Sequence, residues 1–254
     1  VHICLNGNTL TFTDEDYGFH LGGGNANPEA QLTVCDCSAE GTGKIVTTAD
    51  KAQTIYNRSG DIFVYGGTIS GEYRAIFTAN HRDAGIVYIS GGKITTTGYI
   101  GAIYILATDN VERKLIISGG EIGEIYTYVP MEISGGTITD EVHAYGDVTM
   151  TGGTLNGQLT INSSLSVKKN VKISGGAKIE TASGNAIYSE GDIDLEISGG
   201  TISAPNGYAV FLTRSQSKIY LSGSPVISGG NSDFRILPTA SASDAVLVLS
   251  AKDG

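Results

Sequence analysis

The chain has 254 residues and a mass of 26.4 kDa, with a formal charge of −10 and a pI near 4.8. This acidity disfavours polyanionic partners, namely nucleic acids, anionic membranes and acidic polysaccharides. No apolar run is long enough to cross a bilayer, and the 36 glycines follow no three-residue period, which excludes a collagen. We therefore expect no nucleic-acid partner and no membrane insertion.

One short motif recurs along most of the chain: an alternating apolar stretch, a corner with two adjacent glycines, and a second apolar stretch. Residues 87–94, Val-Tyr-Ile-Ser-Gly-Gly-Lys-Ile, form its clearest copy. Further copies lie at residues 62–69, 115–122, 131–138, 148–155, 171–179, 195–202 and 219–230. The step between first glycines varies from 16 residues (Gly119 to Gly135) to 30 (Gly199 to Gly229). A variable step excludes heptads and propeller blades and is typical of a solenoid whose corner loops lengthen.

The first 50 residues predict variant coils of the same solenoid. Residues 3–10 alternate around an Asn-Gly turn, residues 13–31 are polar and predict a loop, and Leu32-Thr33-Val34 restarts the strand pattern. The three cysteines, Cys4, Cys35 and Cys37, all lie here, and their odd number leaves at least one unpaired within the chain. Cys4 can bridge to Cys35 or to Cys37. Because Cys35-x-Cys37 has no second ligand pair and His2 and His20 lack metal-ligand spacing, we favour structural thiols over a metal site.

The regular coils occupy residues 51–230 and show three apolar series, which strand alternation turns toward the interior. The first consists of the pairs Ile62/Val64, Val87/Ile89, Leu115/Ile117, Met131/Ile133, Val148/Met150, Val171/Ile173, Leu195/Ile197 and Ile219/Leu221. The second consists of Ile69, Ile94, Ile122, Ile138, Leu155, Ile179 and Ile202. The third consists of Ile55, Ile76, Ile103, Ile125, Val142, Leu159, Ile187 and Val210. Helical periodicity is absent, so we predict an all-β, single-domain, right-handed parallel β-helix with three short strands per coil.

The double glycines have a physical role in this fold. A sharp corner needs a positive φ, and corners stacked about 4.8 Å apart leave little room for a Cβ. We therefore expect substitution of Gly91 or Gly135 by Val to destabilise the coils. Residues 231–254 predict a C-terminal cap: residues 232–238 break the pattern, and residues 245–249 lie across or extend the last coil. Since the chain opens in mid-pattern at Val1, we interpret residues 1–254 as one domain of a larger protein.

The opening motifs resemble a group of known proteins. Ile3-Cys4-Leu5-Asn6-Gly7-Asn8-Thr9-Leu10, the Leu32–Ser38 stretch, the Gly41-x-Gly43-Lys44-Ile45 stretch and the Ser-Gly-Gly-Thr-Ile units are similar to large repetitive surface proteins of gut Gram-positive anaerobes. Those proteins resemble right-handed parallel β-helices of pectate-lyase-like architecture and carbohydrate-binding β-helix modules. The resemblance implies a secreted or cell-surface location and an adhesin role, and some proteins of this kind bind host immunoglobulin.

Catalytic and metal sites find little support in the sequence. Lyases and hydrolases of β-helical architecture need clustered carboxylates beside a base, or paired acids across a glycosidic bond. Asp192-x-Asp194 has no evident partner base, and the Asp14-Glu15-Asp16 run, even with Asp36, lacks the spaced ligands of a calcium loop. We interpret both as solvated turns. The four histidines belong to no nucleophile motif. We therefore expect no catalytic residues, no cofactor and no enzymatic activity.

A file of aromatic residues is the strongest candidate site. Each follows an inward aliphatic residue of the third series and so faces outward; the file comprises Tyr56, Phe77, Tyr104, Tyr126, Tyr188 and Phe211, interrupted by His143 and Thr160. One interpretation is that it only supports the coil by stacking. The other is a binding site, formed by Tyr56, Phe77, Tyr104, Tyr126, His143, Tyr188 and Phe211, for a host protein such as immunoglobulin. The alternative ligand is a mucin or plant glycan, and a polysaccharide lyase is the third possibility.

Overall fold

The fold is an all-β parallel β-helix, as the apolar series predict. The structure is a computed structural model that describes residues 1–13, 16–22, 30–81, 84–98, 100–107, 113–162, 167–214 and 216–237, with the backbone of 246–249. None of these residues is helical, and no helix in this part of the chain has the length and hydropathy needed to span a bilayer. The chain divides into two compact units, Val1–Pro130 and Met131–Gly254.

The first unit consists of coils that each contribute strands to three files. The first file contains β1 (His2–Cys4), β4 (Gln31–Cys35), β7 (Gly60–Val64), β10 (Ala84–Ile89) and the start of β13 (Leu115–Ile122). The second contains β2 (Thr9–Phe12), β5 (Lys44–Thr47), β8 (Thr68–Gly71), β11 (Lys93–Thr96) and the end of β13. The third contains β3 (Tyr17–Leu21), β6 (Gln53–Asn57), β9 (Arg74–Thr78), β12 (Ile103–Ile105) and β14 (Ile125–Thr127). Successive strands of each file pair in parallel.

The second unit repeats this plan. Its first file contains the start of β15 (Met131–Ile138), β17 (Val148–Met150), β20 (Lys169–Ile173), β23 (Ile193–Ile197), β26 (Lys218–Leu221) and β29 (Val246–Leu249). Its second contains the end of β15, β18 (Thr154–Leu155), β21 (Lys178–Glu180), β24 (Thr201–Ala204) and β27 (Val226–Gly229). Its third contains β16 (Val142–Ala144), β19 (Leu159–Ile161), β22 (Ile187–Ser189), β25 (Tyr208–Leu212) and β28 (Ser232–Ile236).

The three predicted apolar series form the core. Every member is buried except Leu221, which is half-buried, because each points into the coil and packs on its equivalent in the next turn. The outward residues between the first-series pairs are half-buried or exposed, as predicted; they are Phe63, Tyr88, Ile116, Glu132, Thr149, Lys172, Glu196 and Tyr220. The surface of each coil is therefore free to vary while the interior stays aliphatic.

Gly91 and Gly92 are required at their corner for different reasons. Gly92 has a φ of +80°, which an L residue with a side chain adopts only under strain. Gly91 has no positive φ, but a Cβ there would lie 2.4 Å from the carbonyl oxygen of Tyr65 in the preceding coil. At this corner the bend therefore requires glycine at position 92, and stacking on the preceding coil excludes a side chain at position 91.

Two local predictions are wrong. Residues 13–31 were expected to form a loop, yet Tyr17–Leu21 is strand β3, whose Phe19 pairs with Ile55 of β6. Residues 232–238 were expected to break the pattern, yet β28 pairs in parallel with β25 and aligns Phe234 with Val210. In both cases backbone pairing with a neighbouring coil extends the sheet through a segment that is largely polar. Strand β29 pairs with β26, so it extends its file instead of crossing it.

Candidate functional site

The outward aromatic residues of the first unit form a continuous ladder. In β6, β9, β12 and β14 the isoleucine is buried and the following ring is half-buried, because successive side chains on a strand point to opposite faces. Parallel register then places the rings one above another, pairing Tyr56 with Phe77, Phe77 with Tyr104, and Tyr104 with Tyr126. The structure thus brings together the four predicted residues of this unit.

The rings lie close enough to interact throughout. Centroids are 5.4 Å apart for Tyr56 and Phe77, 6.0 Å for Phe77 and Tyr104, and 5.5 Å for Tyr104 and Tyr126. These separations lie in the range of favourable aromatic pairs, which contribute about 0.5–1.5 kcal/mol each. Tyr104 and Tyr126 are stacked at an interplanar angle of 21°, whereas the other two pairs are tilted at 33° and 53°.

The ladder extends one coil further than the sequence predicted. Tyr17 stacks on Tyr56 with a centroid distance of 4.3 Å, and His20 meets the Tyr56 ring edge-on at 4.9 Å. Both residues lie on β3, within the segment predicted to be a loop. The signal that could have located them is the Tyr17-x-Phe19 alternation that precedes His20.

Arg74 is the main residue that the sequence analysis missed. Its guanidinium carbon lies 4.5 Å from the Phe77 centroid, 4.2 Å from that of Tyr104 and 4.5 Å from that of Tyr73. One of its terminal nitrogens also donates to the Tyr73 hydroxyl at 3.4 Å. A cation over aromatic faces is stabilised by the ring quadrupole and restricted in its rotamers. Six residues form the surface that we call the aromatic face: Tyr17, Tyr56, Arg74, Phe77, Tyr104 and Tyr126.

Titratable groups on the aromatic face are shifted toward their neutral forms. Burial raises the pKa of Tyr104, with a further rise from its hydrogen bond to Tyr128 and an opposing effect of Arg74. Burial likewise raises the pKa of Tyr17 and lowers the pKa of His20. At neutral pH the two phenols are therefore hydroxyl donors and the imidazole is uncharged, so the positive charge comes from Arg74 beside Tyr104 and from Arg58 near Tyr17 and His20.

In the second unit the predicted residues do not form one ladder. Thr160 is buried and stands in register between His143 and Tyr188, which separates those two predicted residues. Tyr188 and Phe211 do pair, with centroids 5.5 Å apart. Arg235 lies 5.1 Å from the Phe211 centroid and 4.9 Å from that of Tyr208, so this smaller group repeats the combination of stacked rings and arginine.

A second aromatic group lies on the first file of the first unit. Phe63 and Tyr88 are paired across β7 and β10 with centroids 6.1 Å apart, and Tyr65 lies 6.1 Å from Tyr88. Ser118 Oγ donates to the Tyr88 hydroxyl at 3.0 Å. This group provides a comparison surface on a different strand file of the same unit.

Of the two disulfides that the sequence allowed for Cys4, the structure contains one. Cys4 and Cys37 form the disulfide, and Cys35 keeps a free thiol. Spacing along the chain did not reveal that parallel pairing of β1 with β4 aligns Cys4 directly with Cys35. Nearby, Asp36 accepts hydrogen bonds from the backbone N–H groups of Gly7, Gly43 and Ser38, at 2.9, 2.6 and 3.1 Å.

The acidic residues considered for catalysis are engaged in structural contacts where they are described. Asp194 pairs with Lys168, and Asp192 accepts a hydrogen bond from the backbone N–H of Gln216 at 3.1 Å. Asp14 and Glu15, two of the four residues considered as calcium ligands, lie outside the described residues. Comparison of the chain with protein-family profiles, curated proteins and solved structures finds no significant match.

Proposed function

We propose that this chain is a non-catalytic binding module of a secreted or cell-surface protein, and that it recognises a host extracellular protein through the aromatic face of its first unit. The observation that carries the proposal is Arg74, whose guanidinium lies over the rings of Tyr73, Phe77 and Tyr104. Tyrosine and arginine are enriched among residues that dominate protein–protein binding energy, and restricting their rotamers before binding reduces the entropy that association costs.

A protein partner fits this surface better than a glycan. Sugar rings bind by lying flat against exposed aromatic faces, whereas Tyr104 and Tyr126 stack at an interplanar angle of 21° and the Arg74 guanidinium lies over the Phe77 and Tyr104 rings. The phenol edges and Arg74 instead offer hydrogen-bond donors around an apolar centre, which is the composition of a protein interface. The resemblance of the opening motifs to gut-bacterial surface proteins supports immunoglobulin as the first partner to test.

The test compares two matched double variants. Tyr104→Ala with Tyr126→Ala removes two rings from the aromatic face, and Phe63→Ala with Tyr88→Ala removes two rings from the other aromatic group of the same unit. Each protein is assayed by biolayer interferometry against purified immunoglobulin A and G, and on an array of mucin and plant glycans. Far-UV circular dichroism checks that both variants fold.

The proposal predicts immunoglobulin binding that the first double variant weakens by about 30-fold or more, since truncation of a hot-spot residue costs about 2 kcal/mol or more. The second double variant retains wild-type affinity. Binding to glycans alone would support the carbohydrate-binding alternative. Equal loss in both variants would show that the aromatic face is not the site.

A further inference from the structure

Four potential metal ligands meet on the first coils, although they are scattered in the sequence. Parallel pairing of β1 with β4 aligns His2 with Thr33 and Cys4 with Cys35. Strand alternation gives His2 and Cys4 a common face on β1, and Cys37 follows Cys35 by two residues. His2, Cys4 and Cys37 are exposed and Cys35 is half-buried, so the group is open to solvent. These four residues are termed the cysteine cluster.

Two distances within the cysteine cluster already match edges of a tetrahedral zinc site. The three Sγ atoms lie within 4.8 Å of one another, Cys35 Sγ is 3.8 Å from Cys37 Sγ, and it is 3.4 Å from His2 Nε2. Zinc bonds of about 2.3 Å to sulfur and 2.0–2.1 Å to nitrogen, at tetrahedral angles, require edges of about 3.8 Å between sulfurs and 3.5 Å between sulfur and nitrogen. Three thiolates and one imidazole are a common structural zinc set.

We propose that the cysteine cluster is a redox-controlled zinc site, closed by the Cys4–Cys37 disulfide and opened by its reduction. In the oxidised chain only Cys35 and His2 are free to ligate, which is too few for a structural site. A dithiol transfers two electrons and two protons: the Cys4–Cys37 bond breaks, both sulfurs become thiols, and the dithiol becomes a cyclic disulfide. Zinc then binds Cys4, Cys35, Cys37 and His2 and displaces the three thiol protons.

Little backbone movement is needed to exchange one state for the other. The Cα atoms of Cys4 and Cys37 are 6.1 Å apart, and Cys35 Sγ already lies at ligand-edge distance from both Cys37 and His2. Zinc ligation would require the Cys4 and Cys37 side chains to rotate until their sulfurs are about 3.8 Å apart, and the His2 side chain to bring Nε2 to about 3.5 Å from both. Both the disulfide and the bound zinc would therefore link the first coil to the second. Reduction in the presence of zinc would leave the first coil attached.

The experiment is a cobalt titration of the whole chain, before and after reduction with a phosphine, which becomes the phosphine oxide as the disulfide breaks. Co²⁺ replaces zinc and reports tetrahedral thiolate ligation by visible absorption and by sulfur-to-metal charge-transfer bands. Zinc competition then gives the affinity. The variants are Cys35→Ser, which keeps the disulfide partners, and His2→Ala; Thr33→Ala, on the neighbouring position of β4, is the matched control.

The proposal predicts one tetrahedral Co²⁺ per reduced chain, displaced by zinc, and no such spectrum for the oxidised chain. Cys35→Ser and His2→Ala each lower zinc affinity by at least about tenfold, and Thr33→Ala leaves it unchanged. A reduced chain that gives an octahedral spectrum or none at all, or a Cys35→Ser variant that binds zinc as tightly as wild type, would overturn it.

Discussion

One added methyl group at Gly91 tests how closely the corners stack. A Cβ at this position would lie 2.4 Å from the carbonyl oxygen of Tyr65 and 3.1 Å from its carbonyl carbon, both in the backbone of the preceding coil. Backbone atoms cannot rotate away as a flexible side chain can, so the coils must separate locally. Overpacking of this kind costs about 1–3 kcal/mol. We expect Gly91→Ala to lower the free energy of unfolding by that amount.

Gly176 supplies the matched control, because it also belongs to a double-glycine corner. A Cβ there would meet no atom within 4 Å, and Gly176 has no positive φ. Alanine at such a position mainly restricts the unfolded chain, which stabilises a protein by about 0.4–1 kcal/mol. The same chemical change should therefore have opposite signs at the two corners.

Urea unfolding followed by far-UV circular dichroism gives the free energy of unfolding of each variant. Native-state hydrogen exchange adds local resolution, with β7 and β10 flanking Gly91 and β17 and β20 flanking Gly176. Faster exchange in β7 and β10 of Gly91→Ala is the expected local result. A Gly91→Ala variant as stable as the wild type would contradict the close approach of successive corners.

Three further predictions concern the core, the corner at Asp36 and the aromatic face. Leu115→Ala, at a side chain with no exposed surface, should lower the free energy of unfolding by about 2–5 kcal/mol in urea titration; a loss below 1 kcal/mol would contradict its placement. For Asp36, burial opposes ionisation, but hydrogen bonds from Gly43, Gly7 and Ser38 lower its pKa to about 2. Its contribution to the free energy of unfolding is therefore full above its ordinary pKa of 3.8 and declines as pH falls toward 2. Urea midpoints measured across that window should show this decline in the wild type and not in Asp36→Asn. Arg74→Ala should raise the pKa of Tyr104 further, because the arginine charge lowers it; ultraviolet titration of the phenols would contradict this by showing no shift.

The core and its strand order could be predicted because both follow from local rules. Alternation at Val87-Tyr88-Ile89 assigns inward and outward faces, and the adjacent Gly91-Gly92 marks the corner. Each coil repeats these signals, so an error in one copy does not alter the fold. At β3 the short Tyr17-x-Phe19-x-Leu21 alternation lies within a largely polar segment, and pairing with β6 shows that it is a strand.

The candidate sites depended on relations between distant residues and were only partly predictable. The ladder from Tyr56 to Tyr126 follows from one repeated position, so the sequence located it. The place of Arg74 over Tyr104 depends on a rotamer and on the register of adjacent coils. The cysteine cluster required knowing that a strand beginning at His2 pairs with one ending at Cys35 in the next coil. Spacing rules for metal ligands consider only neighbours along the chain.

Site-specific photocrosslinking tests the proposed role of the aromatic face most directly. Benzoylphenylalanine is a close substitute for phenylalanine, and Phe77 on the aromatic face and Phe63 on the first file are matched positions in one unit. With purified immunoglobulin A as the partner, we predict a crosslinked product from position 77 and none from position 63. Crosslinking from position 63 alone, or binding without any crosslink at position 77, would contradict recognition through this surface.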